Sequence, residues 1–159
     1  MSSYLSSWAK LTIYKTIILP HFNYCSSILF LITLTENDIL QKKLNQAMRC
    51  ILGCNQYTSV NTMLQNTGLL SVKQVLFLNT MTLIYKIKEK LIPENLSKNT
   101  KYITDVHNYP TSSREDFYVS MVSSNYSQND RFHYGFIQYN NLPHDVKNLS
   151  TIQIFKRDF

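Results

Sequence analysis

Two pairs of residues stand one helical turn apart and carry side chains that can hold a metal: His21 with Cys25, and Cys50 with Cys54. On helices, each pair would present its ligands on one face, and together they supply the four donors of a zinc site. The spacing is not one of the usual zinc patterns. Gly53 is placed to end a helix before Cys54. Reduced buried thiols and a core or solvated imidazole therefore stand beside the zinc reading, and the expectation is no metal and no cofactor. Paired carboxylates are the next candidate, because two-metal phosphoryl chemistry needs them. Glu115-Asp116 is the one adjacent acidic pair, and it lies in a stretch rich in Asn, Ser and Tyr, where a solvated loop pair is the plain expectation. No Gly-x-Ser-x-Gly elbow occurs, and the three glycines are too scattered to cradle a phosphate. His21, His107, His133 and His144 have no recognisable catalytic partner. The chain is thus not expected to be an enzyme on its own.

Charge carries more information than catalytic chemistry. The chain has 16 Lys and Arg against 10 Asp and Glu, a formal net charge of +6. Residues 1–90 hold nine basic and three acidic side chains, and residues 91–159 hold seven of each, so the whole excess lies in the first part. Such an asymmetry points to a polyanion-facing surface, with a merely solvated helical face as the alternative. Lys42, Lys43 and Arg49 are the leading candidates. Lys42 and Arg49 are seven residues apart, two helical turns, and can follow a row of phosphates. Lys10, Lys15, Lys73 and Lys86 are weaker candidates. Trp8 and the tyrosines could stack bases, but most sit at apolar helical positions, where core packing is expected.

The elements that must position these residues read as helices. Residues 4–19 are apolar almost all round, which predicts a helix buried on more than one side. Pro20 is expected to end or kink it, and a second helix follows over 22–33. Thr35 is expected to cap a helix over 36–52, whose apolar residues 40, 44, 47, 48 and 51 keep helical spacing. Ser59 and Gly68 bracket a shorter helix over 60–67. Ser71 and Gln74 form a capping box opening a helix over 71–90, with Pro93 just beyond. Periodicity then fails from Ile92 to about Asp130, with short strands an option over 117–122. Residues 132–140 suit a helix or a strand. Pro143 opens a short helix to Asn148, and Ser150 caps a terminal amphipathic turn. The expected fold is mainly α: a helical bundle over 1–91, an irregular connection over 92–130 and a small α-rich C-terminal part over 131–159.

The remaining bulk features bound the setting. Three cysteines and no basic-then-apolar leader suggest an intracellular, reducing compartment, nuclear or cytoplasmic. The apolar run from Ile17 to Leu34 is interrupted by Pro20, His21 and Asn23. Its unbroken part, 28–34, is far short of the ~20 residues that span a bilayer, so no membrane role is expected.

Four stretches occur in an order that resembles one family. They are Tyr14 to Cys25 (YKTIILPHFNYC), Gln46-Ala47-Met48-Arg49-x-Ile51-Leu52, Gly68-Leu69-Leu70-Ser71 leading to Leu83-x-Tyr85-Lys86-Ile87, and Tyr139-Asn140-x-Leu142-Pro143. With His107, Arg114, Phe155 and Lys156 they resemble the region just past the polymerase core in jockey-type non-LTR retrotransposon reverse transcriptases. Two departures stand out: Tyr139 replaces the family's usual Trp, and Ser112, with Pro110 nearby, replaces a basic residue. The resemblance implies a helical thumb that grips a template–primer duplex, RNA, DNA or an RNA–DNA hybrid, followed by a C-terminal extension. It also implies that the catalytic carboxylates belong to a palm domain upstream, because the family's aromatic-Ala-Asp-Asp turn does not occur here. On that reading the chain is a remnant fragment that binds nucleic-acid backbone without catalysis. The competing class is a helical interaction or structural module with no nucleic-acid role.

Overall fold

The computed structural model describes residues 4–24, 26, 34–98, 100–107, 115–124, 130–149 and 152–158. Much of the second expected helix (27–33), together with Cys25, Pro110, Ser112, Arg114 and Ser150, lies outside them. The fold is mainly α, as the helical spacing predicts, and no strand occurs among the described residues. In chain order the helices are α1 (Ser7–Ile13), a π-helical turn (Tyr14–Ile18), α2 (Leu19–Tyr24), α3 (Leu34–Leu52), α4 (Val60–Thr67), α5 (Val72–Lys88), α6 (Glu94–Ser97), α7 (Ile103–Val106), α8 (Arg131–Asn140), α9 (His144–Lys147) and α10 (Ile152–Asp158).

The chain divides into two compact units, Met1–Phe77 and Leu78–Phe159. The boundary falls inside α5, not near residue 91, just past the helix's end at Lys88. The cause is the helix's composition. Val72 and Leu76 belong to the first core, while Met81, Ile84, Tyr85 and Ile87 are buried further along the helix. Pro93 marks where a helix stops, and helix ends and unit boundaries need not coincide.

In the first unit the core is aliphatic, with Met48 and Met63 fully buried beside Leu44, Ile51, Leu69, Val72 and Leu76. Leu44, Met48 and Ile51 step by four and three along α3, the repeat that keeps one helix face turned inward. α1, the π-helical turn and α2 contribute Leu11, Tyr14, Leu19 and Phe22 to this core. Their spacing of three, five and three explains the π-helical turn. The Leu19 N–H donates to the Tyr14 carbonyl five residues back, and this wider turn returns Leu19 to the face that Tyr14 occupies. It also accommodates Pro20, which has no N–H to offer Thr16 and would crowd that carbonyl in a regular turn. The helical path therefore continues past Pro20 into α2 and does not end there.

Burial of this first helix on more than one side does not hold. Tyr14 alone is fully buried, while Leu5, Trp8, Ile13, Ile17 and Tyr24 are exposed. Thr35 lies within the first turn of α3, which begins at Leu34, so it is not the cap. Glu36 nearby suits the positive end of the helix dipole. The other caps form as their residue types dictate. Ser59 Oγ accepts from the Thr62 N–H at 3.2 Å. The Ser71 N–H donates to Gln74 Oε1 at 2.9 Å, and Ser71 Oγ accepts from the Gln74 N–H at 3.3 Å. Gly68 closes α4 with φ 62°, a left-handed conformation that costs glycine little.

The second unit is built on aromatic rings. Tyr85 stacks on Phe155 with centroids 4.7 Å apart, and Phe117 stacks on Phe136 at 4.6 Å and meets Tyr139 edge-on at 5.6 Å. Gly135 of α8 lies against α5: a Cβ there would come within 3.0 Å of Thr80 Cγ2 and 3.1 Å of Ile84 Cγ1. Residues 131–140 are helical, with Asp130 accepting from the Phe132 and His133 N–H groups. The stretch expected as an irregular connection forms part of this unit. It holds α6, α7 and a single antiparallel bridge between Tyr102 and Phe117, and it delivers Phe117 to the buried interior. The optional strand over 117–122 is reduced to that one bridging residue.

Candidate nucleic-acid interface

The candidate cations are positioned mainly by α3. Lys42, Lys43 and Gln46 are exposed on it, facing away from the Leu44, Met48 and Ile51 side. Gln41, next in sequence to Lys42, is held on both ends of its amide. Its Nε2 donates to Asn45 Oδ1 at 2.9 Å, and its Oε1 accepts the Val72 N–H at 3.0 Å. The second bond ties the first turn of α5 to the turn of α3 that carries Lys42 and Lys43. Lys73, adjacent to Val72, is exposed in that first turn. Spacing within α3 pairs Lys42 with Lys43; Lys73, 30 residues further along the chain, stands on the helix that the Gln41–Val72 bond joins to α3.

The other candidates are placed differently. Arg49 is half-buried, and its Nη2 donates to the Gln56 carbonyl at 3.3 Å, while its Nε is buried with no hydrogen-bond partner. Lys10 is half-buried, and its Nζ donates to the Cys50 carbonyl at 3.1 Å. A cation at the last turn of α3 satisfies an otherwise unpaired carbonyl and offsets the negative end of the helix dipole. Both side chains thus hold the C-terminal end of α3 in place. Lys15 is exposed on the π-helical turn. Lys86 is half-buried near the end of α5, in the second unit. Divided at the observed boundary, the first unit holds six basic and two acidic side chains, a net +4, and the second holds ten and eight, a net +2. Part of the charge excess read from residues 1–90 therefore belongs to the second unit, through Lys86, Lys88 and Lys90.

Of the metal and carboxylate candidates, Cys25 lies outside the described residues. α3 ends at Leu52 and Gly53 turns with φ 66°, so Cys54 lies past the helix face that carries Cys50. Cys50 is exposed, Cys54 is half-buried and His21 is exposed. Among the described residues no group of three or more His, Cys, Asp and Glu side chains could hold a metal. Of the Glu115-Asp116 pair, Glu115 is exposed as expected, whereas Asp116 is half-buried and paired. Asp116 Oδ1 meets Lys147 Nζ at 2.9 Å, and that ammonium also donates to the Asn140 carbonyl at 2.7 Å, with Lys147 buried.

Several organising residues in the second unit are not visible from spacing. Asn140 brackets Phe117 as a second strand would. Its Oδ1 accepts the Phe117 N–H at 3.0 Å, and its Nδ2 donates to the Phe117 carbonyl at 2.8 Å. Tyr85 Oη donates to the Leu149 carbonyl at 2.7 Å, and Lys88 Nζ donates to the Lys147 carbonyl at 2.9 Å. The one available signal was the stretch Tyr139-Asn140-x-Leu142-Pro143, which marks Asn140 without revealing its partner. Burial pushes the Tyr139 hydroxyl well above its ordinary value, with Glu89 adding to the effect, and burial raises Tyr14, Tyr85 and Tyr102 as well. Burial also lowers the Arg131 guanidinium.

The expectation that most aromatics pack in the core holds for Tyr14, Tyr85 and Tyr139 and fails for Tyr4, Trp8, Tyr24 and Tyr57, which are exposed. No single described helix is long and apolar enough to cross a membrane. Comparison of the chain with protein-family models, curated proteins and solved structures finds no match.

Proposed function

We propose that the first unit binds the sugar–phosphate backbone of a nucleic acid, RNA, DNA or their hybrid, through α3 and the start of α5, and that the chain performs no catalysis of its own. The observation that supports this most is that Lys42 and Lys43 on α3 and Lys73 in the first turn of α5 are all exposed, on two helices joined by the Gln41–Val72 hydrogen bond. Lysines on a rigid helical frame neutralise phosphates and release counterions without reading base sequence. The reading agrees with the resemblance to the thumb and post-thumb region of jockey-type reverse transcriptases. In that arrangement the carboxylates for nucleotide transfer are supplied by a separate palm domain. Asp116 is engaged by Lys147.

The test is binding of an RNA–DNA hybrid by the parent chain and by a Lys42→Ala/Lys43→Ala/Lys73→Ala variant. Parent affinity should fall steeply between about 50 and about 200 mM salt. The variant should lose affinity for all sequences alike, and its salt slope should shrink by about 1 for each lysine removed. Equal binding by parent and variant at both salt concentrations would transfer the chain to the competing class, a helical interaction module.

A further inference from the structure

The exposed side of the first helix leads to a different surface, independent of the nucleic-acid reading. A helix apolar all round is ordinarily covered on all sides, yet here only the Leu11, Tyr14, Leu19 and Phe22 side meets the core. The opposite side carries Leu5, Trp8, Ile13, Ile17 and Tyr24, exposed by 49, 76, 41, 58 and 90 % respectively. Leu5, Ala9, Ile13 and Ile17 follow steps of four, with Trp8, Thr12 and Thr16 alongside, so they form one stripe. Large aromatic side chains present on the order of 200 Å² each. Trp8 and Tyr24 with the three aliphatic residues therefore expose several hundred Å², more than scattered apolar surface residues account for and approaching the ~800 Å² per partner of a stable contact.

Two further features fit this stripe for helix packing. No charged residue lies on it at these spacings, and Lys10 is turned to the Cys50 carbonyl. Its threonine hydroxyls are already satisfied. Thr12 Oγ1 donates to the Trp8 carbonyl at 2.9 Å, and Thr16 Oγ1 donates to the Thr12 carbonyl at 2.9 Å. Burying these two hydroxyls leaves neither of them an unpaired donor.

The geometry points to a second copy of this chain as the occupant, with the two stripes meeting across a two-fold axis. An uncharged stripe is self-compatible, because a two-fold contact places every residue type against its own surface and would bring like charges together on a charged one. An antiparallel crossing sets the small centre of one stripe, Ala9, Thr12 and Thr16, against that of the other, and the large ends flank it.

Trp8 is the chain's single tryptophan and lies on this stripe, so its fluorescence reports on the contact directly. Sedimentation should show the mass rising with concentration from 18.6 kDa to twice that value, with Trp8 emission moving to shorter wavelength over the same range. Ile17→Glu should keep the helical circular dichroism of the parent, since Ile17 is exposed in the single chain. It should hold the protein at one copy with solvent-exposed emission at every concentration. Tyr57→Ser, an exposed aromatic elsewhere in the first unit, should leave both signals unchanged and serves as the control. A parent chain that stays single at the highest concentration would overturn the inference, as would an Ile17→Glu variant that still doubles its mass. A single chain whose Trp8 emission shifts only with phosphatidylcholine vesicles would also overturn it, and would assign the stripe to a lipid surface.

Discussion

The two units hold themselves together by different means. The first buries mainly aliphatic and methionine side chains spaced along helices, closed by caps within three or four residues of where they act. Longer ties in it run from Lys10 to the Cys50 carbonyl and from Gln41 to the Val72 N–H. The second stacks aromatic rings and fastens them with side chains that reach across 23 to 64 residues of chain, such as Asn140 to Phe117 and Tyr85 to Leu149. The first unit keeps Lys42, Lys43 and Lys73 exposed on α3 and α5, and Trp8 and Ile17 exposed on its first helical stretch. Long-range design in the second draws polar residues inward, so that Asp116, Lys147 and Asn140 serve the fold.

The sharpest way to break this contrast is at the buried ion pair. Asp116→Ala leaves the Lys147 ammonium buried without its counter-charge and should destabilise the second unit by roughly 3–5 kcal/mol. Denaturant unfolding followed by far-ultraviolet circular dichroism measures this, and a loss under 1 kcal/mol would refute the role assigned to the pair. Next comes Asn140→Ala, which strips both partners from the Phe117 backbone. The expected cost is about 2–3 kcal/mol, in line with leaving buried donors and acceptors unpaired. In the first unit, removing the capping box with Ser71→Ala should cost only about 1 kcal/mol. A Ser71→Ala loss matching that of Asn140→Ala would erase the distinction between local and long-range fastening.

The smallest effect should come from Tyr139→Phe. The Tyr139 hydroxyl is buried and has no hydrogen-bond partner, so its removal should leave stability within about 1 kcal/mol of the parent or raise it. pH extends the same contrast. A tyrosine raised above its ordinary value of 10.0 by burial holds its proton more tightly when folded. Its stabilisation is complete below pH 10 and is lost as pH rises above it. Tyr85, Tyr102 and Tyr139 all lie in the second unit and Tyr14 in the first, so alkaline unfolding should begin with loss of the second unit. Near-ultraviolet tyrosine signals recorded from pH 9 upward would show the order.

This contrast also governs what could be read from the residues alone. Helices over 36–52, 60–67 and 71–90 follow from apolar spacing and from Ser59, Ser71 and Gly68, because those signals act within one or two turns. The bracket of Asn140 on Phe117 and the burial of Lys147 depend on which distant segments meet, and no local pattern encodes that. The exposure of Trp8 and Ile17 was missed for a related reason: an apolar helix announces that it wants cover, not whether its own chain provides it. The path through Pro20 required knowing that Tyr14 and Leu19 share a core face, which a regular helical repeat hides. At the candidate interface Lys42 and Lys43 were legible from α3. The link between α3 and the start of α5, which carries Lys73, is visible only in the Gln41–Val72 hydrogen bond, and Arg49 and Lys10 are engaged with carbonyls.

The central claim, that the first unit presents the polyanion-binding surface, is tested most directly by lysine-reactivity footprinting of the parent chain with and without an RNA–DNA hybrid. Acetylation read by mass spectrometry should show Lys42, Lys43 and Lys73 protected by the hybrid, and exposed Lys98 and Lys101 of the second unit unchanged. Protection of Lys98 and Lys101 with Lys42, Lys43 and Lys73 still reactive would contradict it.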